Sequence, residues 1–159
     1  MCKCTPEIRT QYCGKPGYEW PFKKLEGLDL AYDKVKEFHR TFLHPVSEKP
    51  TMLSKERVRT RYYWMFEELE EFYSSDNVVD QTDAMIDLIY FALGTLVEMG
   101  VKPQVPFEIV QKANMDKLWP DGKPHFDENT KTIKPEGWKD PYPLLLAEIK
   151  NQGGDVEGL

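Results

Sequence analysis

A run of glutamates in the middle of the sequence, Glu67-Glu68-Leu69-Glu70-Glu71, is the first candidate for chemistry. Residues three or four apart share one face of a helix, so Glu68 and Glu71 converge there, and Glu67 lies beside them. Carboxylates at this spacing repel each other unless a cation offsets their charge. A solvated acidic surface is the simpler interpretation of such a run, so the run alone does not establish a site.

A second acidic group follows in the next predicted helix, where Asp80, Asp83 and Asp87 recur at steps of three and four. This spacing also places the side chains on one face. Asp87 falls inside the apolar stretch from Ala84 to Val97, where a buried carboxylate without a partner would be costly. We therefore expect Asp87 to have a partner.

Four of these carboxylates form the predicted metal site if the two helices are antiparallel neighbours. The candidate ligands are Glu68, Glu71, Asp83 and Asp87. Oxygen donors favour magnesium, with manganese as the other candidate, over zinc, and magnesium characteristically joins carboxylates to substrate phosphates. The alternative is that Asp83 forms an ion pair with Arg57, Arg59 or Arg61. Spacing alone leaves both interpretations open.

The positions of apolar residues predict the helices that carry these groups. Steps of three and four predict a helix from Leu28 that ends before His44-Pro45, and a second that begins after an N-cap at Ser54 and runs to about Tyr73. A third should follow the turn residues 74–77 and end at Gly100, and a fourth should run from Pro106 through Lys117. The prediction is an all-α antiparallel helical bundle with about four main helices.

Outside these helices the chain is rich in proline and glycine. Residues 1–27 predict an irregular N-terminal arm, residues 28–150 the helical domain, and residues 151–159 a frayed tail. Within the domain, Trp119 to Pro143 predicts an extended C-terminal strap, after which Leu144 to Lys150 adds one or two helical turns.

The overall charge restricts the partners of the chain. A formal net charge of −6 disfavours a broad nucleic-acid interface, which needs a basic face. The apolar stretch in the third helix is shorter than the ~20 residues needed to span a bilayer, so no membrane segment is expected. The N-terminus has no apolar secretory signal, so we expect a cytoplasmic protein.

Three cysteines, Cys2, Cys4 and Cys13, lie in the N-terminal arm. Their spacing is similar to that of a zinc knuckle, but tetrahedral zinc needs a fourth ligand. His39 and His44 are the candidates for that ligand. Free thiols on the arm are the commoner interpretation of three cysteines, and structural zinc is the alternative.

Four motifs, in order, resemble the all-α nucleoside triphosphate pyrophosphohydrolase superfamily, which includes MazG and phosphoribosyl-ATP pyrophosphohydrolase. The resemblance covers about Val35 to Pro143. Its carriers are RYYWMFEELEEF at residues 61–72, DAMIDLIYFALGTLVEMG at 83–100, FEIVQKANMDK at 107–117 and KPEGWKDP at 134–141.

The resemblance implies a role for each acidic residue. Metal ligation is carried over to Glu68, Glu71 and Asp87, and activation of water to Glu67. The usual second motif is Glu-x-x-Asp, and this chain departs from it because Ala84 replaces the glutamate. Asp83 resembles a variant of the phosphoribosyl-ATP pyrophosphohydrolase-like branch and is the expected substitute ligand.

The resemblance also implies the substrate contacts and the reaction. Arg61, Asn114, Lys117 and Lys134 match residues that bind nucleotide or phosphate. The implied activity is magnesium-dependent hydrolysis of a (deoxy)nucleoside triphosphate to the monophosphate and pyrophosphate by attack on the α-phosphoryl group. The alternatives are phosphoribosyl-ATP or nucleoside diphosphate hydrolysis by the same fold, and a noncatalytic nucleotide-binding or regulatory module. A homodimer or homotetramer is expected.

Overall fold

The computed structural model describes residues 27–156, which fold into five helices. In chain order the helices are α1 (Leu28–Thr41), α2 (Lys55–Ser74), α3 (Val78–Met99), α4 (Gln104–Met115) and α5 (Tyr142–Asn151). The described part of the chain contains no strand beyond one isolated antiparallel bridge between Phe126 and Thr132. The predicted all-α class is confirmed, and Cys2, Cys4 and Cys13, interpreted as free thiols with structural zinc as the alternative, lie outside the described residues.

The ends of α2 and α3 follow from local side-chain chemistry. Ser54 Oγ accepts a hydrogen bond from the backbone N–H of Arg57, and Asn77 Oδ1 accepts from the N–H groups of Val79 and Asp80. These bonds satisfy donors that have no partner inside the helix. Gly100 ends α3 in the left-handed conformation (φ 67°), which glycine adopts without steric cost.

Helix α4 begins two residues earlier than the predicted start at Pro106. The Pro103 carbonyl accepts the Phe107 N–H at 2.9 Å, and Asp29 Oδ1 accepts the Gln104 N–H at 3.0 Å. In return, Gln104 Oε1 accepts the Leu28 N–H at 2.7 Å. The contacts with Leu28 and Asp29 are long-range in sequence and allow α4 to begin at Gln104. The local sequence does not reveal them.

The last helix is longer than one or two turns, since α5 has ten residues. Beyond it, the Gln152 side chain donates to the Lys102 carbonyl and accepts from the Lys102 N–H, at 3.1 and 2.8 Å. The chain is therefore attached beyond Lys150, which was the predicted end of the domain.

Helix α3 occupies the centre of the bundle because it packs against both α1 and α2. The buried core is small and lies between α1 and the second half of α3. It consists of Tyr32, Val35, Leu93 and Val97, with Ala31, Val46 and Leu96 packed against it. The three-residue connection between α2 and α3 makes these two helices antiparallel neighbours, as predicted.

The apolar stripe of α2 is largely exposed rather than buried. Tyr62, Leu69 and Phe72 expose 40–55% of their surface, and Ile86 and Ile89 of α3 expose 55% and 52%. The face that α2 turns toward α3 instead contains Arg61, which is buried. Residues 27–156 therefore leave apolar faces of both helices uncovered.

No single helix within residues 27–156 has the length and apolar character to cross a membrane; α3 and α4 pass a length-and-composition test only as a pair, bent by 119°.

Candidate active site

Glu68 is the central side chain of the carboxylate cluster formed with Glu67, Glu71, Asp83 and Asp87. It is half-buried, and its Oε2 atom is sequestered from solvent without a hydrogen-bond partner among the described residues. Burial raises the pKa of Glu68, and the neighbouring charges of Glu71, Asp87, Asp83 and Glu67 raise it further, in that order. The structure thus brings the glutamates of α2 and the aspartates of α3 within electrostatic range of one atom that lacks a partner.

The other four carboxylates, Glu67, Glu71, Asp83 and Asp87, are exposed. The expectation that Asp87 is buried is therefore wrong. Asp87 lies in the apolar segment, but the inner face of α3 at this level is formed by Ala84, which is 2% exposed. Asp87 points from a helix face that the described part of the chain does not cover.

A metal ion suits these donors chemically, although the described residues do not hold a preformed metal centre. No group of three or more His, Cys, Asp or Glu side chains within residues 27–156 has the spacing to hold a metal ion. The sequestered Glu68 Oε2 nevertheless fits a hard cation, because it and four neighbouring carboxylates leave negative charge uncompensated. The predicted ligand set remains a prediction.

The described residues do not bear out the alternative in which Asp83 forms an ion pair with Arg57, Arg59 or Arg61. Arg57 and Arg61 both contact Glu98, at 2.6 and 3.4 Å, and Asp83 has no ion pair among the described residues. Asp80 contributes to the start of α3, where Asn77 Nδ2 donates to its carboxylate. Of these two aspartates, Asp80 is therefore engaged by a neighbouring side chain, whereas Asp83 forms no ion pair among the described residues.

Arg61 lies in the interior, 3% exposed, although the sequence predicted a phosphate contact. Its guanidinium donates to Thr95 Oγ1 at 2.9 Å and to the Phe91 carbonyl, and it pairs with Glu98. Burial lowers the pKa of Arg61, and the charge of Glu98 opposes that effect. These contacts give Arg61 an ion-pair role between α2 and α3, and its phosphate contact stays a prediction.

An aromatic pocket lies between α1, α2 and α3, about one helical turn from Glu68 and Asp87 along the chain. It has a cavity volume of about 230 Å³ and is lined by Phe38, His39, His44, Arg61, Trp64, Tyr90 and Phe91. Trp64 precedes Glu68 by one helical turn, and Phe91 follows Asp87 by one turn. Because α2 and α3 are antiparallel, the pocket and the carboxylates occupy successive levels of one groove.

Sequence reasoning missed this pocket and Glu98. The pocket combines α1 with α2 and α3, so no local motif contains it. Glu98 did carry a signal: it is a charged residue near the end of the apolar half of α3, where only a partnered carboxylate can be buried.

Three predicted substrate-binding residues lie near the end of α4. Lys117 Nζ donates to Asn114 Oδ1 at 2.7 Å, and Lys134 Nζ lies 3.7 Å from the centroid of the Trp138 ring. Trp138 Nε1 donates to the Ala113 carbonyl at 2.8 Å, which attaches the strap, and with it Lys134, to α4. The described hydrogen bonds and ring contacts do not join these side chains to the carboxylates.

Comparison with known proteins identifies the family. The sequence model of the phosphoribosyl-ATP pyrophosphohydrolase family matches residues 35–114, just over half of the chain. This segment contains α2, α3, the carboxylates and Asn114.

A crystal structure from Exiguobacterium sp. 255-15, described as a "putative NTP pyrophosphohydrolase", is 36% identical to this chain. The match covers 77% of this chain and 95% of that one, with a TM-score of 0.45. No curated protein matches this chain. On the family match, this chain belongs to the phosphoribosyl-ATP pyrophosphohydrolase family and is a hydrolase that cleaves phosphoanhydride bonds of nucleotides.

Proposed function

We propose that the chain is a magnesium-dependent pyrophosphohydrolase of (deoxy)nucleoside triphosphates, which releases the monophosphate and pyrophosphate. The observation that carries this proposal is the sequestered Oε2 atom of Glu68, surrounded by carboxylates and one helical turn from an aromatic pocket. Glu68, Glu71, Asp83 and Asp87 would hold the cation. When bound, magnesium supplies positive charge that offsets the charge developing on the phosphates.

The residues of the chain have separate tasks in this proposal. Glu67, exposed beside Glu68, orients water and accepts its proton during attack on the α-phosphoryl group. The pocket with Trp64 and Phe91 takes the nucleobase, because flat rings stack on aromatic side chains. Lys117 and Lys134 bind the phosphates that leave.

A homodimer or homotetramer is the proposed state of the protein. The support is the exposed apolar residues of α2 and α3, since an apolar face of this kind is usually covered by another surface. Self-association would also cover the open face of α3 at Asp87. The direct measurement is the molar mass in solution by light scattering.

Phosphoribosyl-ATP is the second candidate substrate, because the name of the matching family specifies it. The discriminating experiment offers the eight common nucleoside and deoxynucleoside triphosphates, the diphosphates and phosphoribosyl-ATP at equal concentration. Pyrophosphate and phosphate release are measured separately. Pyrophosphate from a triphosphate at the highest kcat/KM supports the proposal. A higher kcat/KM for phosphoribosyl-ATP establishes that compound as the substrate. If no nucleotide is hydrolysed, the protein is a noncatalytic nucleotide-binding module.

A further inference from the structure

Within residues 27–156, Glu98 is the most deeply buried charged side chain whose role the proposed reaction does not explain. It lies in the last turns of α3 and is 2% exposed. Arg57 donates to both of its oxygens, from Nε at 2.7 Å and from Nη2 at 2.6 Å. Arg61 Nη1 approaches the same carboxylate at 3.4 Å. One carboxylate thus holds two guanidinium groups on the neighbouring helix.

Both guanidinium groups also lie over the indole ring of Trp64. The central carbon of Arg57 is 5.0 Å from the ring centroid, and that of Arg61 is 5.2 Å from it. The Trp64 ring contacts Phe91 at a centroid distance of 5.9 Å, and both rings line the aromatic pocket. The order of contacts therefore runs from Glu98 through the arginines to the wall of the pocket.

Stability alone does not account for this arrangement. Desolvation of buried charges costs free energy that their attraction often only offsets, and apolar residues of similar volume can hold two helices as well. A planar guanidinium stacked on an indole does fix the orientation of that ring. Packing of α2 against α3 alone would not require a buried carboxylate with two guanidinium groups at this contact.

We propose that Glu98 is a positioning residue for nucleotide affinity: it holds Arg57 and Arg61 against Trp64 and so fixes the wall of the pocket that receives the nucleobase. This inference rests on the proposed function, because it assumes that the pocket binds the base. Glu98 lies 11 residues beyond Asp87, about 16 Å along the helix. It therefore acts on KM and leaves the phosphoryl chemistry unchanged.

The first test is Glu98→Gln, which keeps the shape of the side chain and removes its charge. We expect KM for the preferred triphosphate to rise about 5- to 20-fold while kcat changes less than about 2-fold, the pattern of lost uniform binding. Arg57→Lys is the second variant, for the case that Glu98→Gln does not fold. Its ammonium still pairs with Glu98 but has no planar face for Trp64, so KM should also rise.

Val97→Ala is the matched control. Val97 is fully buried next to Glu98 and belongs to the core, so its truncation loosens α3 without touching the arginines. At a temperature well below the Tm of each variant, Val97→Ala should leave KM within about 2-fold of the wild-type value. An equal rise in KM in this control would overturn the proposal, because general loosening would then explain the effect.

A double-mutant cycle tests the path through Trp64. If Glu98 acts through this ring, Glu98→Gln should change KM less than about 2-fold in a Trp64→Leu background, because coupled residues are not additive. A full additional effect in that background would overturn the proposal. Direct binding of the four deoxynucleoside monophosphates by calorimetry separates this failure from failure of the proposed function. If the protein hydrolyses no nucleotide but binds a monophosphate more weakly after Glu98→Gln, only the proposed reaction is contradicted. If the wild-type protein binds no monophosphate, the inference about Glu98 is overturned.

Discussion

The ammonium nitrogen of Lys134 lies 3.7 Å from the centroid of the Trp138 indole ring, and the same indole donates from Nε1 to the backbone carbonyl of Ala113 at 2.8 Å. These two contacts place a cation of the strap beside the residue that precedes Asn114. Trp138 is therefore both an anchor of irregular chain and a support for the Lys134 side chain.

Replacement of Trp138 by leucine should weaken substrate binding. The change removes the cation–π contact and the Nε1 hydrogen bond, so the position of Lys134 is lost. We expect KM to rise about 3- to 10-fold, in keeping with an exposed or half-buried cation–π contact. Steady-state kinetics on Trp138→Leu provide the measurement.

Trp119→Leu is the control for this prediction. Trp119 lies in the same strap and stacks on His125, but it carries no lysine over its ring among the described contacts. Its Nε1 donates to the Ile133 carbonyl at 3.3 Å, a longer bond than that of Trp138, so its replacement should raise KM less than Trp138→Leu does. If both variants raise KM to the same degree, the strap matters as a whole and the Lys134 contact has no separate role.

The titration of Glu68 predicts how pH affects the metal-free protein. Because the folded state raises the pKa of Glu68 above its ordinary value of 4.5, the protonated form favours folding. This contribution to stability is complete below the unfolded pKa and is lost as pH rises through the folded pKa. In EDTA, Glu68→Gln should avoid that loss and have a higher Tm than the wild-type protein at neutral pH.

Magnesium should reverse the order of these two proteins. A cation that binds only the folded state raises Tm, and the wild-type protein should gain more than Glu68→Gln. The measurement is a series of melting curves from pH 4 to pH 8, with and without magnesium. If Tm depends on pH in the same way for the two proteins in EDTA, the neighbouring carboxylates do not affect the titration of Glu68.

The structure allows a sharp test of Asp83, whose predicted role rests on the absence of a glutamate at Ala84. If Asp83 is a ligand, Asp83→Ala should lower kcat/KM about 10²- to 10³-fold, the scale of losing one preorganised electrostatic contact in a transition state. Its Tm in EDTA should change little, because Asp83 makes no ion pair among the described residues.

Asp80→Ala is the companion of this variant. Asp80 accepts a hydrogen bond from Asn77 at the start of α3, so its loss should lower Tm slightly and leave turnover intact. The reverse result, with Asp80→Ala inactive and Asp83→Ala active, would transfer the ligand role to Asp80.

Self-association has its own prediction. Ile86 exposes 55% of its surface on α3. Ile86→Lys should dissociate the oligomer, because burial of a charge in an apolar interface is costly. Val79→Lys on the same helix is the control, since Val79 is 71% exposed near the start of α3. Light scattering should report a smaller molar mass for Ile86→Lys and an unchanged molar mass for Val79→Lys. A monomeric wild-type protein would contradict the proposed assembly.

Local signals in the sequence were sufficient for the helices but not for their burial. Ser54, Asn77 and Gly100 begin and end helices as predicted because caps depend on neighbouring backbone groups alone. The exposure of Tyr62 and Asp87 could not be predicted, since burial depends on which face meets another helix.

The candidate site shows the same division. The spacing of the glutamates and aspartates predicted that they share one region of the fold, and the charges of four of them raise the pKa of the fifth, Glu68, while their roles as metal ligands stay predictions. The pairing of Arg61 with Glu98 joins residues far apart in the sequence, so only the fold reveals it. The resemblance predicted a phosphate contact for Arg61 without any information about its burial.

The position at which water attacks tests the central claim most directly. The preferred triphosphate is hydrolysed in ¹⁸O-labelled water with magnesium, and the products are examined by mass spectrometry. Attack on the α-phosphoryl group predicts one labelled oxygen in the nucleoside monophosphate and unlabelled pyrophosphate. Label in pyrophosphate, or release of phosphate and nucleoside diphosphate, would contradict the proposed reaction.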